Sequence, residues 1–581
     1  MANVPIQQFY VNGWRGGWQP DLPQTQLQPD MIPTLLNVIF GEGYAVAKRG
    51  GYRKVTDDVT LMDTAGMCFP QRVFTSTGEH PNFTQRVMYF NENNYDLYVQ
   101  TFGQLLKDDL VAGTGADFVD TGHSMGQHPI PSAVNYFRCW SLQCITYGSN
   151  IYVTGLRFDG NSSNGTVPET DDGTTGSSAP SKPIKYDVQA GTYSRPSVHS
   201  LAGGTTGFPA ARACIVKYDR VFAGNLYKKG VYRYPSRFYW SDAGTTETYG
   251  ATSYIEVGGD DGSEITSMLD FGEQILIFKN TSVWSLVGSD EDTFALYNLD
   301  HNLGCEATFG SYSSAGKAYF FDYRNGVWEY DGANFTNISK PVNNFMLDNI
   351  NRDAAFKAVL YVHDERLFVS LPIGEFAFDT SDHATRTFMY DIRLGVWTQW
   401  DIGFVPIPDE YYTDYNVLGV GVSSDGRFYA AGLDDKVGLF KLEENGDYSD
   451  GGSHGDTATA YNAHFSTNWW NPGNTGDAHR IRRLEALVDA SSAPFEVDVF
   501  RDLSVNQIWS TATVTTISTY DEWHEIQPAR DIGLWTWLKF KFYNADINEF
   551  FEVHGAGMMV SDRKRPRGPR QQASSGGGGC C

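Results

Sequence analysis

The chain has no apolar run approaching the roughly 20 residues that a membrane helix needs. Its opening, MANVPIQQFYVNGWRGG, lacks the basic and apolar regions of a signal peptide. A soluble protein without a membrane anchor, made and kept in a cytoplasm, is therefore expected. Helical periodicity sustained over roughly 12 residues is hard to find. Among the seven cysteines, Cys68, Cys139, Cys144, Cys214 and Cys305 form no CxxC and have no neighbouring histidine. Zinc is not expected there, and apolar filler in a reducing compartment is. The other two, Cys580 and Cys581, end a Ser-Ser-Gly-Gly-Gly-Gly spacer. They read as a flexible, bridging end or as an added tail with reactive thiols.

Positive charge is also scarce. Lys and Arg total 44 against 69 Asp and Glu, for a formal net charge of −25. Arg563, Lys564, Arg565, Arg567 and Arg570 concentrate a local +4 in the last 20 residues, leaving −29 for the other 561. Such a body repels phosphate and excludes tight or sequence-specific DNA binding, while keeping a large assembly in solution.

What the chain does have is 41% hydrophobic residues, 14% aromatics and 60 glycines among 581 residues. That is enough apolar surface to exclude global disorder, cut into short runs that read as strands and tight turns. One hairpin pattern recurs. It pairs Val87–Phe90 with Tyr95–Val99, Ile275–Phe278 with Val283–Val287, Ala318–Asp322 with Val327–Tyr330, Thr387–Asp391 with Val396–Trp400, and Phe428–Ala431 with Val437–Leu442. Glycine supplies the positive φ of such turns. A Val-Trp step puts a large aromatic on one face and a polar residue on the other, as a half-buried sheet demands. Val283, Val327, Val396 and Val437 are spaced by 44, 69 and 41 residues. A period near 40–50 is that of a β-propeller, and the long gap reads as an inserted loop or a skipped blade. Radial closure also protects strand edges that an open array would expose.

The predicted fold is thus all-β: a β-propeller with an N-terminal extended arm and a C-terminal β-sandwich-like domain. Residues 1–60, rich in Pro, Gln and Gly, form the arm that contacts neighbouring subunits. Residues 61–455 form the propeller, with a low-complexity loop at 160–183. Residues 456–562 form the sandwich, with expected strands at Thr457–Thr467, Arg480–Asp489, Phe495–Arg501, Trp509–Thr515 and Leu534–Phe542. Residues 563–581 are a basic, Gly- and Cys-containing tail expected to be disordered.

No catalytic, cofactor or metal residue stands out. Asp171-Asp172-Gly173, Gly259-Asp260-Asp261-Gly262 and Asp447–Asp456 are acidic loops without the alternating ligands of an EF-hand, and read as solvated turns. His123 and His128 are wrongly spaced for a helical metal pair. Ser132 and Ser163 lack a G-x-S-x-G context, and the Asn161-Ser162-Ser163 sequon means nothing without secretion. A propeller enzyme needs convergent acid, base or metal groups, and none is visible.

Two stretches carry a family resemblance. The first is Gly16-Gly17-Trp18-Gln19-Pro20-Asp21, then Leu36-Asn37 and Lys48-Arg49-Gly50-Gly51. The second runs from Asp219–Gly224 through Arg237–Asp242, Ile265–Met268, Gln274–Phe278, Val283-Trp284 and Gly304-Cys305 to Ala318–Gly332. In order and spacing these resemble the tail nozzle, or tail tubular protein B, and packaged-DNA stabilisation hub family of short-tailed bacteriophages. Residues 456–581 carry no resemblance, and the chain lacks the insertions of the larger nozzles.

The resemblance implies a structural virion protein of the phage tail, assembled in the bacterial host cytoplasm as a ring of six copies. Its partners would be adaptor or head-to-tail connector proteins, with tail fibres or spikes and a tail needle or plug as further neighbours. Genomic DNA would pass through the lumen without sequence-specific binding. The ring would form part of the DNA channel, retain packaged DNA and allow its ejection. An acidic wall would let DNA slide, where Lys and Arg would trap phosphates. The alternative is a receptor- or carbohydrate-binding tail-fibre or propeller module. It would need Trp469, Trp470, Trp535 and Trp537 exposed to stack on sugars.

Overall fold

The computed structural model describes residues 6–24, 26–54, 72–75, 96–100, 104–109, 119–124, 137–148, 150–159, 167–168, 183–187, 192–194, 196–202, 204–228, 232–259, 261–372, 385–400, 419–422, 428–434, 436–442, 461–472, 478–490, 496–503, 507–509, 523–525, 534–544 and 550–563. Two compact units result: residues 49–461, and residues 1–48 together with 462–581.

The first unit is a β-propeller. Among the described residues it contains seven antiparallel sheets of four or five strands, taken up in chain order. The third, for example, runs Ala211–Lys217, Arg220–Lys228, Tyr232–Ser241 and Tyr249–Glu256. The seventh is composite: Gly419–Val422, Phe428–Asp434 and Lys436–Leu442 are completed by Tyr52–Lys54, which pairs antiparallel with the last of them. Gly419–Val422 also lies beside Arg72–Thr75, the first strand of the first sheet. The ring is therefore closed by strands from both ends of the unit, which removes the open edge.

Burial follows from this stacking. The strands Gln274–Lys279 and Lys317–Asp322 are buried at every position but the first, and Ala211–Lys217 throughout. The half-buried pattern expected at the Val-Trp steps is present at Val283-Trp284 and Val327-Trp328 but does not extend to these strands, which neighbouring blades cover. The third blade shows how: Cys214, Val216, Val221 and Tyr239 pack with Ile145 and Tyr152 of the second. From its other face Phe222, Phe238 and Trp240 pack with Ile265, Met268 and Ile277 of the fourth.

The hairpin pattern resolves into specific strands. Val283 and Val327 sit on the third strands of the fourth and fifth sheets, while Val396 sits on the fourth strand of the sixth. The 69-residue gap is one strand longer and also contains the helix Asn343–Asn349. No blade is skipped. The Val87–Phe90 hairpin arm lies outside the described residues. Glycine is less universal in the turns than expected, since Tyr218-Asp219 and Asp364-Glu365 both adopt positive φ without it.

The second unit differs most from the sequence reading. In place of an extended arm, residues 6–48 supply strands to two larger sheets and form a small parallel pair, Gly17–Trp18 with Met31–Ile32. Ile6–Asn12 pairs along Phe551–Arg563, and Val46–Lys48 and Val38–Phe40 extend the same six-stranded sheet. Thr34–Leu36 pairs with Ala463–Ser466 in a five-stranded sheet. Aromatic rings join the sheets: Phe9 meets Trp470 at 5.2 Å and Trp14 meets Phe465 at 4.9 Å. The strand Leu538–Asn544 alternates buried and half-buried. The physical reason is that short Pro-interrupted strands cannot stand alone and gain by completing the edges of longer ones. Expected strands at Arg480–Asp489 and Phe495–Arg501 are present as Ala478–Ala490 and Glu496–Arg501, and Phe551–Arg563 is an additional one. Residues 564–581, with Cys580 and Cys581, lie outside the described residues.

Candidate functional site

Among the described residues, several cationic side chains of the propeller meet carboxylates and carbonyls across blade junctions. Lys185 of the second blade meets Glu247 of the third at 2.9 Å. Arg212, buried on the first strand of the third blade, donates to Glu264 Oε1 at 2.8 Å and to the Glu306 carbonyl at 2.7 Å. Asn225 donates to the other oxygen of Glu264, at 2.9 Å. Lys217, at the opposite end of that strand, binds Asp270 and the carbonyl of Gly272. Arg324 reaches Asp322 Oδ2 at 2.8 Å and the carbonyl of Asn302 at 3.0 Å. A buried cation such as Arg212 or Lys217 survives only when paired in this way, so these residues link neighbouring blades.

The acidic loop at 259–262 has the same kind of role. Asp261 Oδ1 accepts from Lys279 Nζ at 2.5 Å and from the amide and hydroxyl of Ser263, both at 2.9 Å. Burial pushes the Asp261 carboxyl up, but the bonds from Lys279 and Ser263 outweigh it and hold the group below its usual range. Residues 171–173 and 447–456, His128, Ser132, Ser163 and Asn161 lie outside the described residues. His123 falls on the strand Val119–Ser124.

The tryptophans proposed for sugar stacking are mostly interior. Trp470 and Trp535 are each 1% exposed and Trp469 8%; Trp537 alone is half-buried. Trp470 donates to the Pro29 carbonyl at 3.2 Å, and Trp535 packs 5.2 Å from the His479 ring. Stacking faces are therefore not available on three of the four. Cys214 and Cys305 are buried thiols, and burial pushes Cys305 up to about 12, which leaves it unreactive.

One cluster was not foreseen. In the split unit, Asp489 stands opposite Glu552 on the paired strands Ala478–Ala490 and Phe551–Arg563. His554 follows two residues later. Its Nε2 lies 3.5 Å from Asp489 Oδ2 and 3.9 Å from Glu552 Oε1. Burial first, and then the Asp489 and Glu42 carboxylates, push Glu552 above its ordinary range, against the opposing pull of His554. Among the described residues this is the one group of three metal-type ligands within mutual reach. Its sequence signal is only Glu552-x-His554 on one strand, and the third member is 63 residues away.

The chain matches no protein-family model and no curated relative. Among solved structures it is similar to YjhT, at 9% identity and a TM-score of 0.31 over 57% of this chain and 97% of that one. YCF48 bound to D1 peptide gives 8% and 0.30, over 60% and 88%. Apo AztD from Citrobacter koseri gives 10% and 0.27, over 53% and 68%. Likeness this slight carries no weight for function.

Proposed function

We propose that this chain is a structural, non-enzymatic virion protein of a short-tailed phage tail, a hub or nozzle subunit. It would assemble as a ring that forms part of the DNA channel, retaining packaged DNA and releasing it on ejection. One observation carries the reading: the residues of the N-terminal resemblance are built into the framework. Trp18 is buried, and Gln19 Nε2 donates to the Gly16 carbonyl at 3.0 Å. Asn37 holds a positive φ of 55° and donates to the Asn462 carbonyl at 2.9 Å. Lys48 is buried and donates to Asn544 at 3.2 Å. A motif that organises the join of two chain ends is one a family of scaffolds would keep in order.

Charge supports the same reading. The net charge of −25 and the pairing of buried cations favour a wall past which DNA slides. Interior Trp470 and Trp535 disfavour the sugar-binding alternative. Immunogold labelling of particles carrying this chain tests the assignment. Label confined to the tail at the portal vertex is expected; label on distal fibres, or none on intact and disrupted particles, overturns it.

A further inference from the structure

The Asp489–Glu552–His554 cluster has unmet bonding capacity. Both Nε2 of His554 and Oδ1 of Asp489 are shut off from water without a hydrogen-bond partner. Leaving such groups unsatisfied is costly, so a ligand that satisfies them is favoured. The backbone also aims the imidazole. The ladder between the two strands slips between the Leu487–Gly555 and Val488–Val553 pairings, leaving His554 as the extra residue of a bulge. Bulges turn a side chain away from its regular alternation. The Gly13 amide donates to the His554 carbonyl at 2.8 Å, which fixes that turn. Gly41 leaves space for the carboxylate, since a Cβ there would lie 2.8 Å from Glu552 Oε1.

We propose that Asp489, Glu552 and His554 form a binding site for a divalent first-row cation of the zinc type. One imidazole and two carboxylates make a mixed nitrogen–oxygen donor set, which zinc accepts and which the all-oxygen, six- to eight-ligand preference of calcium does not match. Tetrahedral bonds of roughly 2.0–2.1 Å place neighbouring ligands about 3.3 Å apart. His554 Nε2 lies 3.5 Å from Asp489 Oδ2 and 3.9 Å from Glu552 Oε1, and one ligand atom from each residue lies within 4.8 Å of the others, so the three must draw together by side-chain movement as the ion binds. The side chains of His554 and Asp489 are 27% and 20% exposed, so the cluster lies near the surface, and a small rotation of either would open the covered atoms to an entering ion. The ion would clamp two long strands of the split unit, a structural role independent of the tail assignment.

The test uses the full-length chain with Cys580→Ser and Cys581→Ser, so that terminal thiols cannot compete. After chelator treatment, calorimetric titration with zinc chloride near neutral pH should show one saturable site and a raised unfolding temperature. Asp489→Asn and His554→Gln should each weaken binding by about tenfold or more. X-ray absorption of the loaded protein guards against misfolded variants: only nitrogen and oxygen neighbours are expected. Sulfur in the shell, no saturable binding, or unchanged affinity in both variants would overturn the site.

Discussion

The guanidinium of Arg49 lies 4.0 Å from the ring centroid of Tyr461, and the Tyr461 hydroxyl donates back to the Arg49 carbonyl. These are the first and last residues of the propeller unit. Trp400 supplies a second ring, 5.7 Å from the same guanidinium. A desolvated cation over aromatic faces contributes about 2 kcal/mol, and its removal also leaves a void. Arg49→Ala should therefore cost about 2–4 kcal/mol, with Arg49→Lys intermediate because the planar stack is lost. Denaturant unfolding checks this; a change within error for both variants contradicts the clasp.

Ring closure by Tyr52–Lys54 gives a second expectation. Arg53 faces Lys441 in the ladder that completes the seventh sheet. Arg53→Pro removes a backbone donor and strains the strand, costing about 3 kcal/mol. Hydrogen exchange should accelerate in Lys436–Leu442 before it does in the third and fourth blades. Uniform acceleration across the propeller would show that the closing strand has no local role.

Arg212 joins the third blade to Glu264 of the fourth. Its replacement by Met leaves the Glu264 carboxylate with Asn225 as a donor but no opposite charge, and loss of one member of a buried pair costs about 3–5 kcal/mol. Glu264 is 26% exposed, so the lower end applies. Adding Glu264→Gln should recover part of the loss, measured as a double-mutant cycle. Additive effects would mean that the two residues act independently.

His464 sets a pH dependence. Burial, then Lys541 and Lys539, hold its folded pKa down to about 4, against an ordinary 6.5. The unfolded chain therefore binds a proton at higher pH than the folded one. Its contribution is intact above pH 6.5 and is lost as pH falls from there to about 4, to a limit of about 3 kcal/mol. His464→Phe should flatten that part of the stability profile, read by thermal unfolding across the range. An unchanged slope would place the acid sensitivity elsewhere.

The propeller was legible because its hairpins are local: Val283-Trp284 and Val327-Trp328 follow tight turns and repeat at a period that two-residue alternation alone does not explain. The split unit was not, because its pairings are distant. Tyr10 opposes Gly557, and its hydroxyl donates to Glu485 at 2.5 Å. A Cβ at Gly557 would lie 2.0 Å from the Tyr10 ring, so glycine there makes room for a residue 547 positions earlier. In the sequence, the same Gly555-Ala556-Gly557 run weakens the strand signal of Phe551–Arg563. The His554 cluster was hidden for the same reason, since it exists only once that strand has paired with Ala478–Ala490.

The proposed role of this propeller protein, as a segment of a tail channel, requires it to close into a ring. Cryo-electron microscopy of the purified protein tests it most directly. The account predicts a closed ring, six-fold as the family resemblance implies, with a central hole lined mainly by acidic and neutral side chains. A protein that stays monomeric at all concentrations, or a ring whose lumen is lined mostly by Lys and Arg, would contradict it.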